Sequence, residues 1–295
     1  MDPRTVGPSA SGSNTRAPSG GVAPRSGWIC AAASEKARPP GPSARQTGPM
    51  FVRDLGPRQA PPVLFLHGGG VAGWMWEPLR AHLGDRCRAL VPDLPGHDHS
   101  ADETYTSHAA TVAALRGVLA ARGVVEGLTV VGFSLGAQLS VLLAAEVPRC
   151  VERVVVVSAQ AKPLPFTGPT VRLLGALSGL ARHEGFARAQ ARALFIPDAL
   201  RADYLRTSAA MTRASLVNAV DANLRFTPPD AWARYPGAAH VLVGARERSV
   251  MRASARVLTA SRPGSEPLVV EGCGHGIPFQ KPEWFASRLV EWLRG

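Results

Sequence analysis

Six short apolar runs recur along the chain, and their lack of alternation does most to constrain the fold. They span residues 63–67, 88–93, 128–131, 154–157, 240–243 and 268–270, and the purest is Val154-Val155-Val156-Val157. A half-exposed strand alternates apolar and polar residues; an unbroken β-branched run marks a strand covered on both faces. Helical periodicity fills the intervals at about 75–83, 106–122, 135–146, 250–260 and 282–293. This strand–helix rhythm predicts an α/β fold: a mostly parallel, doubly wound sheet with right-handed crossovers and helices on both faces. The rhythm breaks once. Between the runs at 154–157 and 240–243 lie about eighty residues with helical period and no strand, in which Leu173, Leu174, Leu177 and Leu180 space as one apolar face. A helical cap over residues 159–237 is expected, with residues 50–158 and 238–295 forming the core.

Residues 1–49 are of another kind. They hold 8 of the 26 prolines, 7 glycines and 7 serines, with Asp2 and Glu35 the only acids. No period of 2 or 3.6 is visible, so a disordered extension is expected. The acid-poor, Arg- and Ser-rich composition also mimics an organelle transit peptide, although the amphipathic helix of such a peptide is missing. A third reading starts translation at Met50, where periodic sequence begins.

The net charge of +11 invites a nucleic-acid reading, but the basic residues are spread from Arg4 to Arg294 with no tract. No nucleic-acid partner is expected. No apolar run reaches the roughly 18 residues that cross a bilayer, so no membrane span is expected. Cys30, Cys87, Cys150 and Cys273 show neither C-x-x-C nor His-pair spacing, which points to reduced thiols in a cytoplasmic protein without a metal site.

The chemistry centres on Gly132-Phe133-Ser134-Leu135-Gly136, between the run at 128–131 and an apolar helix. In that setting G-x-S-x-G makes a sharp turn that lifts the serine hydroxyl above the sheet, with small neighbours because strand and helix pass closely. A cap serine alone does not explain glycine on both sides. The hydroxyl needs a base, and the base a group to orient it. His275 stands in the glycine-rich loop Gly272-Cys273-Gly274-His275-Gly276 after the last strand, where a parallel sheet places working groups. Glu247 follows the preceding strand. The other acid position, after residue 157, reads Ser158-Ala159-Gln160 and offers no carboxylate. Gly69, in the loop after the first run, and Leu135, opening the helix, are the expected oxyanion donors, each worth about 3–4 kcal/mol. Trp74, Phe166, Phe195 and Met211 are candidate pocket residues, and His67 is expected to orient its loop.

With Asp93-Leu94-Pro95-Gly96-His97-Asp98-His99-Ser100, which is similar to a D-x-P-G-H-G-x-S loop, these motifs resemble the α/β-hydrolase family with a helical cap. Asp98 departs from the pattern where glycine is usual, and Glu247 stands where aspartate is commoner. The resemblance covers residues 50–295 and implies a serine hydrolase that cleaves an ester or related acyl bond of a small apolar substrate without a cofactor. The same residues also suit carbon–carbon bond hydrolysis, biosynthetic acyl processing, or a ligand-binding homologue of low turnover. Ser134 argues against an aspartate nucleophile, as used by the haloalkane dehalogenases and epoxide hydrolases of this fold. Oligomeric state is not legible.

Overall fold

Successive residues of a strand point to opposite faces, and here each face meets its own helical layer. The computed structural model describes residues 50–163, 167–177, 184–260, 262 and 265–294. The chain runs β1 (Val52–Leu55), β2 (Pro62–Leu66), α1 (Glu77–Leu83), β3 (Arg88–Pro92), α2 (His108–Ala121), β4 (Leu128–Phe133), α3 (Leu135–Glu146) and β5 (Val151–Val157). Among the described residues, five α-helices follow without a strand: α4 (Thr167–Leu177), α5 (Glu184–Ala193), α6 (Arg201–Ala210), α7 (Arg213–Arg225) and α8 (Asp230–Ala233). The rhythm then resumes with β6 (Ala238–Gly244), α9 (Ser249–Ala260), β7 (Leu268–Val270), α10 (Ile277–Gln280) and α11 (Pro282–Arg294).

The strands form one sheet in the order β1-β3-β2-β4-β5-β6-β7. Every pairing is parallel except β1 with β3. Leu64, Leu66, Val130, Val154, Val156 and Val243 face α2, α3 and α9, while Val63, Phe65, Val131, Val155, Val157 and Leu242 face α1 and α11. This explains the first five unbroken apolar runs, since each buried Val or Leu contributes about 1.5–3 kcal/mol; in the sixth, on the edge strand β7, Leu268 and Val269 are exposed rather than covered. The antiparallel β1 is a strand beyond the six runs. Of its four residues only Val52 is fully buried, so it leaves no strong sequence signal.

α3 runs against β4 and β5 and is buried on nearly all sides, Gln138 and Ser140 included. Its polar side chains therefore need internal partners. The Gln138 amide donates to the carbonyls of Gln160 (2.7 Å) and Asn223 (3.1 Å) and accepts from His108 Nε2 at 2.8 Å. Tyr105 Oη in turn donates to His108 Nδ1 at 2.7 Å. This satisfied network ties α7 of the helical insertion to the helix that follows Ser134. Among the described residues, no helix is long and apolar enough to cross a membrane.

Candidate active site

Two glycines force the turn that carries Ser134. A Cβ on Gly132 would lie 2.3 Å from the Gly136 carbonyl oxygen, and one on Gly136 would lie 2.2 Å from that of Leu66. Backbone cannot yield at such distances, so both positions stay bare. Ser134 itself sits at φ 52° and ψ −111°, a left-handed conformation that costs about 1–3 kcal/mol in a non-glycine residue. Its N–H is anchored to the Val157 carbonyl at 2.9 Å. The strained corner points the hydroxyl away from the sheet.

His275 arrives from the loop between β7 and α10. Its Nε2 lies 3.2 Å from Ser134 Oγ, and its Nδ1 lies 2.9 Å from Glu247 Oε2. Glu247 is buried beyond the end of β6. Its other oxygen, Oε1, accepts from Ser158 Oγ at 2.7 Å and from the Gly244 N–H at 2.9 Å. Burial pushes this carboxyl up, but the hydrogen bonds from His275, Ser158 and Gly244 outweigh it and hold the group below the usual glutamate range. An ionised Glu247 requires the imidazole proton on Nδ1. The Nε2 lone pair is then directed at the serine hydroxyl, the arrangement a general base needs.

The loop after β2 is fixed by two buried histidines. His67 Nδ1–H donates to the Gly68 carbonyl at 2.8 Å, while Nε2 accepts the Leu94 N–H at 2.8 Å. Burial lowers the His67 pKa to about 3, so the ring is neutral and holds two loops together. His97, also lowered by burial, donates through Nδ1 to the Pro95 carbonyl and accepts the Gly70 N–H at 3.3 Å. Gly69 and Leu135 thereby lie side by side, with a Cβ on Gly69 only 3.9 Å from Leu135 Cδ2. Leu135 is the first residue of α3, so its N–H has no acceptor within the helix.

A cavity of about 260 Å³ opens over these groups. Gly69, Gly70, His97, Ser134 and Leu135 form its floor; Leu194, Tyr204, Met211, Leu216, Val220 and Asn223 of the insertion are among the residues of its walls and roof. Among the described residues, none of the lining side chains carries a formal charge.

Met211 thus lies in the wall. Trp74 does not: it is buried, its Nε1–H donates to Thr207 Oγ1 of α6 at 2.9 Å, and its ring stacks on Phe279. The indole's need for both apolar cover and one acceptor is met in the core. Phe195 is also displaced, its ring packed on the His275 loop where Gly274 and Gly276 leave room. Leu173 is 61% exposed, and Phe166 lies outside the described residues.

Asp98 takes φ 44° and so adopts the left-handed turn that glycine would otherwise serve. Its carboxylate meets Arg206 of α6 at 3.0 and 3.1 Å. Asp93, fully buried, accepts from the Gly73 N–H and His99 Nδ1, both at 2.8 Å. The two carboxylates therefore brace the floor and the insertion. Neither the Asp98–Arg206 pairing nor the Ser158–Glu247 bond is visible in sequence, because each joins residues about ninety or more positions apart.

A profile of the alpha/beta hydrolase family matches residues 63–288, well over half of the chain. The chain belongs to that family. Among curated proteins, an esterase of Mycobacterium tuberculosis is 40% identical over 103 residues, 33% of each chain. An uncharacterised protein of the same species is 34% identical over 103 residues, 34% of this chain and 29% of its own. The matched stretch thus spans about a third or less of the length of these curated relatives. Solved structures extend the likeness of fold. An esterase from Exiguobacterium antarcticum superposes with a TM-score of 0.72 at 19% identity, covering 83% of this chain and 96% of its own. An enol-lactonase from Burkholderia xenovorans gives 0.69 at 20% identity, with the same coverage of both chains. As an alpha/beta hydrolase, the chain has its serine turn and histidine loop at the strand ends where this fold gathers reactive groups.

Proposed function

We propose that this alpha/beta hydrolase is a serine hydrolase that cleaves an ester or related acyl bond of a small, uncharged, largely apolar substrate. The observation that carries the reading is the hydrogen-bonded chain Ser134–His275–Glu247, at 3.2 and 2.9 Å, whose serine opens onto a cavity with no charged side chain among the described residues that line it. Ser134 Oγ attacks the acyl carbon as His275 Nε2 takes its proton; Glu247 holds the ring and stabilises the imidazolium. The N–H groups of Gly69 and Leu135 receive the developing oxyanion. His275 then returns the proton to the leaving alcohol, and water, deprotonated by the same nitrogen, releases the acid. The esterase and lactonase neighbours support this class of reaction. The small cavity favours a short acyl group.

Hydrolysis of p-nitrophenyl esters of increasing acyl length tests the proposal. Rates highest for acetate to butyrate, and lost in Ser134→Ala, are expected. Equal hydrolysis by Ser134→Ala and the parent protein, after contaminating esterase is excluded, would overturn it. A binding protein of low turnover would hydrolyse none of these esters.

A further inference from the structure

The acid of this site is a glutamate, one methylene longer than aspartate, and so has an additional torsion to fix. His275 constrains only Oε2. The opposite oxygen, Oε1, receives Ser158 Oγ–H at 2.7 Å and the Gly244 N–H at 2.9 Å. Gly244 lies three residues before Glu247 on the same turn, so it moves with it. Ser158 comes from elsewhere. It directly follows β5, is 2% exposed, and has its backbone N–H fixed to the Leu242 carbonyl at 2.9 Å.

Ser158 also sits at φ 54°, in the left-handed region that a non-glycine residue enters only where its surroundings hold it there. Any residue at this corner meets that constraint, but only one with a short hydroxyl delivers a proton to Glu247 from there. Its backbone is therefore rigid, and its hydroxyl is aimed by that backbone. Of the other groups around Glu247, Arg252 of α9 reaches the backbone carbonyl and not the carboxylate.

We propose that Ser158 is a positioning residue for the hydrolytic reaction: its hydroxyl clamps Glu247 Oε1 so that Oε2 meets His275 Nδ1. Ser158 touches no reacting atom and acts through Glu247. The assignment rests on the proposed roles of Ser134, His275 and Glu247. It adds that the position after β5, without a carboxylate of its own, still serves the acid.

The test compares Ser158→Ala and Ser158→Gly with Ser134→Ala, by p-nitrophenyl acetate kinetics, by the rate of labelling with a fluorophosphonate, and by thermal midpoint. Both Ser158 variants should lower kcat and the labelling rate by roughly 10-fold, with KM within a factor of two. The acid limb of kcat/KM should move to higher pH. Loss of the donor makes Glu247 less acidic and leaves more negative charge facing the imidazole, and both effects favour the protonated site. Ser158→Gly relieves the left-handed strain and should keep the parent's thermal midpoint while showing the same kinetic loss. A hydroxyl that served packing alone would lower the midpoint and leave kcat and the pH profile unchanged. Wild-type kcat and pH profile in both Ser158 variants, with Ser134→Ala inactive, would overturn this proposal alone. Activity persisting in Ser134→Ala would overturn the underlying one.

Discussion

Glu247→Gln preserves shape and removes charge, and the hydrogen bonds around the carboxylate fix what that does. Oε1 accepts from two donors, Ser158 Oγ and the Gly244 N–H, while Oε2 accepts from one, His275 Nδ1. A glutamine has one oxygen to offer. Turned towards His275, it sets its NH2 group against the Gly244 N–H, while the Ser158 hydroxyl can rotate to accept from it. The buried Gly244 N–H is then left without an acceptor, at a cost of about 1–3 kcal/mol. Turned the other way, the amide keeps those two donors and presents NH2 to His275 Nδ1, which must become an acceptor. The imidazole proton then moves to Nε2, where it faces Ser134 and prevents the ring from acting as a base. This bias towards the wrong tautomer, together with loss of the charge that stabilises the imidazolium in either orientation, should lower kcat by about 10²–10⁴-fold. KM should change little, because Glu247 does not line the cavity. Steady-state kinetics with p-nitrophenyl acetate at pH 7.5 read both. A kcat within 10-fold of the parent would refute the assignment of Glu247, and full fluorophosphonate reactivity would do the same.

Other consequences follow from burial and close packing. His67, His97 and His108 are neutral in the fold because burial lowers their pKa, to about 3 for His67, whereas unfolded histidine takes up a proton near 6.5. Acid therefore favours the unfolded chain from about pH 6.5 downwards, by up to about 1.4 kcal/mol per pH unit for each ring. His99, raised by its bond to Asp93, offsets one of them. Asp93 and Glu247 are both lowered, so their stabilisation persists above the usual carboxylate range and is lost only below it. The thermal midpoint should drop steadily from pH 7 to 5, and a flat profile would contradict neutral buried histidines. Gly136→Ala places a methyl group 2.2 Å from the Leu66 carbonyl and should cost about 3 kcal/mol or more, seen as insoluble expression or an early urea midpoint. Trp74→Phe loses the bond to Thr207 and should cost about 1–2 kcal/mol while kcat/KM for p-nitrophenyl acetate stays within threefold; a large rise in KM would return Trp74 to the cavity wall.

Much of the fold is legible in sequence because both faces of the sheet are buried, so each central strand declares itself as an unbroken apolar run. β1 is not, since an edge strand of four residues with one buried side chain, Val52, looks like any loop. The meeting of Ser134, His275 and Glu247 is legible because parallel topology sends the ends of β4, β6 and β7 to one rim. Side-chain direction is not. Trp74 and Phe195 stand near the right loops, but whether an aromatic faces a cavity or the core depends on partners such as Thr207 and Gly276, which sequence does not place. Asp98 is legible as an irregularity, but not its purpose. Its left-handed turn and its pairing with Arg206 emerge only once α6 is laid over the sheet.

The central claim is that Ser134 is a nucleophile activated by His275, and active-site labelling addresses it without knowledge of the substrate. The full chain is incubated with a fluorophosphonate, digested, and the adduct located by mass spectrometry. The account predicts one phosphonylated serine, Ser134, with labelling abolished in Ser134→Ala and strongly slowed in His275→Ala. No adduct on the folded protein, or an adduct that persists in Ser134→Ala, would contradict it.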